Sequence, residues 1–185
     1  MLTMKTNKLH RVSLILFSII VWNGCYFGNN QNQNKNSAEQ TICSEDSLFS
    51  VAIPKGWVQI TDYSLNDEAD IQAQKTIGSQ YFVALIESKD DLDYTFEEWN
   101  TKVREAYVSS FSNLNISEGK DVLIGGYPAK QYEISGTIER IKITILATYI
   151  NGENHFAQIY AWTLTSRYKS SVDDLKAITH SIKGL

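Results

Sequence analysis

The densest group of side chains able to hold a cation is Glu87-Ser88-Lys89-Asp90-Asp91-Leu92-Asp93, followed closely by Glu97 and Glu98. Asp91, Asp93 and Thr95 alternate as the first ligands of a calcium loop do, but the sixth and twelfth positions of such a loop are Phe96 and Lys102 here, where an EF-hand needs glycine and glutamate. Asp90, Asp91 and Asp93 can thus form a divalent-cation site of another kind, or simply the solvated entry of a helix whose dipole favours carboxylates. The first reading would suit a secreted cation-dependent enzyme or cation-binding domain.

The other chemistry is sparse. His155 and His180 stand 25 residues apart and belong to no Glu-x-x-His or His-x-x-x-His zinc pair. Gly119, Gly125 and Gly126 never take the spacing of a dinucleotide or phosphate loop, and are better explained by turns that need positive φ. Cys43 has no base near it in sequence. No catalytic residue, metal or cofactor is expected, and the domain reads as non-enzymatic. Among the aromatics, Tyr149, Tyr160 and Trp162 fall near one hairpin, and an exposed share of them would make a ligand groove or partner patch.

These residues need elements to position them. Leu48 to Ile53 reads as a strand that the Pro54-Lys55-Gly56 turn joins to Trp57, and Tyr81 to Ile86 is apolar on both faces, as a central strand should be. Thr95 with Glu98 is a capping box opening a helix whose apolar face runs Phe96, Trp99, Val103 and Ala106. Strands follow at Val122–Ile124 and Ala129–Ile134. Arg140 to Ile150 then alternates Ile141, Ile143, Ile145, Ala147 and Tyr149 on one face, and Asn151-Gly152 signals a tight hairpin to a strand presenting Phe156, Tyr160, Trp162 and Leu164. A last helix is expected to start near Ser171, capped through the Asp174 position, with Leu175, Ile178 and Ile182 facing inward. Strands in meanders with helices at two points give α+β, a mainly antiparallel sheet flanked by helices in a single domain.

The N-terminal part reads differently. Lys5, Lys8 and Arg11 precede an apolar run from Val12 to Trp22, too short to cross a hydrocarbon core of roughly 30 Å, so residues 1–24 read as a signal peptide. Trp22-Asn23-Gly24-Cys25 resembles the lipobox of bacterial lipoproteins at Gly24 and Cys25, while Trp22 and Asn23 depart from it. That resemblance implies lipidation at Cys25; ordinary cleavage would instead leave Cys25 to pair with Cys43. Residues 25–44, with their Asn- and Gln-rich tract from Asn29 to Ser37, then serve as a polar flexible tether, because such a segment cannot bury enough surface to offset its ordering entropy. Residues 45–185 are the folded domain. Tyr26 is not the aspartate that some Gram-negative bacteria read as inner-membrane retention, which favours the outer membrane within the cell envelope.

The chain has 185 residues and a net charge of −4. Removing Lys5, Lys8 and Arg11 from the 17 basic side chains leaves 14 against 21 acidic ones, a net of −7 that offers no diffuse positive field for nucleic acid.

Phe49-x-Val51-x-Ile53-Pro54-x-Gly56-Trp57, Ile124-Gly125-Gly126-Tyr127-Pro128-Ala129 and His180-Ser181-Ile182-Lys183 resemble the PsbP-like superfamily, which includes the extrinsic subunit of photosystem II, nuclear-import factors and bacterial lipoproteins of the DcrB-like group. The resemblance spans about residues 47 to 184. It implies an α/β/α sandwich acting as a binding or assembly module for an envelope protein or a small ligand, with no catalytic motif to carry across.

Overall fold

A computed structural model of the chain describes residues 40–45, 48–108 and 111–185. The leader, Cys25 and most of the tether lie outside the described residues. The run Tyr81–Ile86 forms the middle of β5 (Gln80–Ser88), and its apolar side chains on both faces place it inside the sheet. Next to it lie β4 (Ile71–Lys75) and the two-residue edge strand β3 (Val58–Gln59) on one side, and β10 (His155–Leu164), β9 (Ile141–Asn151) and β8 (Tyr127–Ile138) on the other. Two short strands, β6 (Ser112–Ile116) and β7 (Lys120–Ile124), share the outer edge of β8. All pairs are antiparallel, giving an eight-stranded sheet. A separate ribbon pairs β1 (Gln40–Cys43) with β2 (Ser50–Ile53).

The two faces carry separate cores. Val51, Ile53 and Trp57 of the ribbon region, with Leu175 and Ile178 of helix α2 (Thr165–His180), cover Ala157, Ile159, Ala161, Leu146 and Ile150. Trp99 and Val103 of helix α1 (Phe96–Val108) cover Phe156, Tyr160, Trp162, Ile145 and Tyr149 on the opposite face. Period two correctly assigned the α1-facing residues of β9 and β10; the residues between them are equally buried, so every position from Ile143 to Ile150 is covered. The fold is therefore α+β with a helix on each face, as expected.

Three expectations change. Residues 40–43, expected within the tether, form β1 and are hydrogen-bonded to β2. Helix α2 starts at Thr165, after Leu164 and without a side-chain cap. Ser171 lies buried within it and accepts a hydrogen bond from Gln80 Nε2 at 3.3 Å, while Asp174 pairs with Lys75 at 2.5 Å. Tertiary packing thus extends the helix well upstream of its best local cap. The Asn151-Gly152 hairpin exists, but through a longer loop, since Asn151 pairs with Phe156. Gly152 is needed for proximity: a Cβ there would stand 2.7 Å from Leu185 Cβ.

The tight two-residue turns are elsewhere. Gly125 and Gly126 take φ of 61° and 94° between β7 and β8, and Glu139 and Arg140 take 47° and 73° between β8 and β9. The registers define two ends of the sheet. One holds the Pro54–Trp57 turn, the β4–β5 and β8–β9 turns and the start of α2; the other holds the entry to α1, the β7–β8 turn, the β9–β10 loop and the C-terminal residues.

Candidate functional site

The acidic segment leaves β5 through a 3-10 turn, Lys89–Asp91, in which the Asp90 N–H donates to Ser88 Oγ at 3.3 Å. Asp90, Asp91 and Asp93 are exposed. Among the described residues no three His, Cys, Asp or Glu side chains come together as a metal site would need. The structure therefore does not gather Asp90, Asp91 and Asp93 into a site, and the turn serves as a helix entry. The capping box is present in full: the Thr95 N–H donates to Glu98 at 2.9 Å and the Glu98 N–H donates to Thr95 Oγ1 at 3.3 Å. The Thr95 backbone N–H, followed by its hydroxyl, holds the Glu98 carboxyl below the usual glutamate range. Lys89 turns away from the acids, donating to the Gly152 carbonyl at 2.5 Å and lying 4.9 Å from the Phe156 ring centre.

The aromatic surface is also corrected. Tyr149, Tyr160 and Trp162 are 0%, 1% and 4% exposed, under α1. Trp99 stacks on Phe156 at 4.8 Å and meets Tyr149 edge-on at 5.9 Å, while Tyr81 stacks on Trp162 at 5.4 Å. Sequence periodicity placed these rings on one face, but only the packing of α1 decides that the face is covered.

A chain of polar contacts runs through this layer. Tyr160 Oη donates to Gln158 Oε1 at 2.8 Å, Gln158 Nε2 donates to Glu87, and Glu87 also accepts the Trp99 indole N–H at 3.2 Å. Asn100, fully buried, donates to Tyr132 Oη at 3.2 Å, and Arg104 lies over that ring at 4.8 Å. Among the described residues Asn100 Oδ1 is buried without a hydrogen-bond partner, and Tyr149 Oη is buried beside Tyr160. Burial raises the Tyr149 phenol far above its ordinary value, so it stays neutral at physiological pH. The layer is thus suited to fixing α1 on the sheet. Gln158 and Asn100 went unremarked in the sequence, and Glu87 was read there only as part of the acidic run; Gln158, a polar residue at an inward position of an apolar strand, was the available signal.

The remaining candidates are scattered. His155 begins β10 opposite Ser88, and His180 ends α2 with Nε2 at 3.4 Å from Gln131 Nε2. Burial, then Lys176, lowers the His180 pKa. Cys43 is exposed on β1 and forms no disulfide among the described residues.

No protein-family model matches the chain, and no curated protein matches it. Solved structures do. LpqN, described as involved in cell envelope biogenesis of Mycobacterium tuberculosis, matches with a TM-score of 0.60 at 13% identity, over 79% of this chain and 90% of that one. The cyanobacterial PsbP of Synechocystis matches with a TM-score of 0.57 at 11% identity, over 86% and 99%. A Bacteroides thetaiotaomicron protein matches with a TM-score of 0.54 at 12% identity, over 80% of this chain and 48% of that one. The fold is PsbP-like. At these identities the likeness is one of fold, and function must be argued from this chain's own residues.

Proposed function

We propose that the chain is an exported lipoprotein of the cell envelope, anchored through a lipid on Cys25, whose PsbP-like domain is a non-enzymatic binding or assembly module of the DcrB-like kind. The observation that carries this reading is the order of segments in the chain. Three basic residues, an apolar run, Gly24-Cys25 and a polar tract lead directly to Gln40, the first residue of β1. A lipoprotein carrying a diacylglycerol, with or without a third acyl chain, has the two or more acyl groups that stable anchoring requires. The PsbP-like fold and its likeness to LpqN, a protein involved in cell envelope biogenesis, support the same setting. The outer membrane is favoured over the inner membrane in a Gram-negative host because Tyr26 follows Cys25.

Cell fractionation of the wild type and of Cys25→Ser, each washed in high salt, tests the anchor. The wild type is expected to stay with the membranes and the variant to leave them. A variant that remains membrane-bound after the wash would sink the anchoring reading.

A further inference from the structure

The two ends of the sheet carry opposite charge. Where β5 runs into α1, the segment from Glu87 to Glu98 holds six carboxylates and one lysine. At the opposite end stand Lys55, Lys75, Arg140, Lys142, Arg167 and Lys169, five of them exposed and Lys75 half-buried against Asp174. Glu139 is the acid within the turns there.

Packing brings these cations together from distant parts of the chain. A Cβ on Gly56 would lie 3.5 Å from Lys75 Cε, so the Lys55-Gly56 turn abuts the end of β4. Thr163 Oγ1 donates to the carbonyls of Gly78 and Ser79, at 3.2 and 2.9 Å, tying the β4–β5 turn to the end of β10. Thr144 Oγ1 donates to Thr165 Oγ1 at 3.1 Å, setting the first turn of α2, with Arg167 and Lys169, beside the end of β9 that carries Lys142. From the β4–β5 turn Ile77 projects with 87% of its surface exposed.

The first described residue stands at this same end. Gln40 pairs with Ile53, the residue before the Pro54-Lys55-Gly56 turn. Only the fourteen residues 26–39 separate Gln40 from Cys25, a reach of at most roughly 50 Å. A lipid on Cys25 would therefore hold the basic, isoleucine-tipped end within reach of the bilayer, and the acidic end would be the far one.

We propose that this end of the domain docks on an anionic phospholipid surface, with Lys55, Arg140, Lys142, Arg167 and Lys169 against the headgroups and Ile77 entering the interface. The orientation rests on the anchoring reading; the docking itself does not. Basic side chains near an anionic leaflet each strengthen partitioning, about fivefold apiece, and the attraction decays within a Debye length. An exposed aliphatic side chain at a turn tip adds apolar burial at the interface.

The test uses the chain from residue 26 to 185, without leader or lipid, since among the described residues both cores and every strand pairing close within 40–185; a thermal melt confirms folding of each variant. The protein is expected to float with vesicles containing phosphatidylglycerol, to stay behind with phosphatidylcholine alone, and to be released at about 0.5 M salt. Arg140→Glu, Lys142→Glu and Arg167→Glu together should lower the bound fraction at least about tenfold. Ile77→Ser should lower it several-fold, and Asp91→Ser with Asp93→Ser should leave it unchanged. Equal flotation on both vesicles, none on either, or wild-type flotation by a folded charge-reversal variant would overturn the proposal. Because this chain carries no lipid, its result is independent of the Cys25→Ser fractionation.

Discussion

The Glu87 carboxylate, at the end of β5, accepts the indole N–H of Trp99 at 3.2 Å and so ties α1 to the sheet. Its other oxygen takes the Gln158 amide, which in turn accepts from Tyr160, so one half-buried acid serves three elements. Glu87→Ala should cost about 2 kcal/mol, since the Trp99 and Gln158 donors lose their acceptor within the packed layer. Urea unfolding measures the loss, and a shift in tryptophan emission should accompany it. A variant of wild-type stability would show that the contact does not hold the helix.

Tyr149 and Tyr160 predict unequal losses. Tyr160→Phe removes a 2.8 Å hydrogen bond and should cost about 1 kcal/mol. Tyr149→Phe removes a fully buried hydroxyl that lies beside Tyr160, and is expected to cost less than Tyr160→Phe. A Tyr149→Phe loss larger than that of Tyr160→Phe would contradict the assignment.

The turn at Glu139-Arg140 places two non-glycine residues at positive φ, where Asn-Gly is favoured. Glu139→Asn with Arg140→Gly should therefore raise stability by about 1 kcal/mol. Gly125→Ala tests the converse. At φ 61° its Cβ would stand 2.7 Å from the Ile182 carbonyl oxygen, so a loss of about 2 kcal/mol or more is expected in the same melts.

Lys75, followed by Gln80, holds the Asp174 carboxyl below its ordinary value through hydrogen bonding. The folded pKa is the lower one, so this contribution is complete above the unfolded value near 3.8 and is lost as pH falls through the depressed folded value. Asp174→Asn should flatten the acid limb of the stability profile while leaving its slope between pH 6 and 8 unchanged; an unaltered acid limb would refute the pairing. Solvent screening of this partly exposed pair keeps the effect small.

Much of the fold was legible because its signals are local. The Thr95–Glu98 box and the Gly125-Gly126 turn need only neighbouring residues, and both stand where they were read. Alternation in β9 and β10 named the α1-facing side chains for the same reason. The start of α2 was misread because no side-chain cap marks it: Leu164 precedes the helix, and contacts with β9 and β10 carry its first turns. The Asn151-Gly152 turn was read as tight because the residue pair suits that turn, whereas Gly152 is required by Leu185, which no local pattern can reveal.

By itself the sequence determined the class of the fold and the order of leader, cysteine and polar tract as an expectation, because periodicity and composition are properties of contiguous residues. Only the tertiary structure decided that Tyr149, Tyr160 and Trp162 lie inside, that Asp90, Asp91 and Asp93 do not converge, and that Lys55, Ile77, Arg140, Lys142 and Arg167 share one end. Burial and convergence depend on which surfaces meet across the sheet, and strand register, set over separations of tens of residues, is what makes them meet.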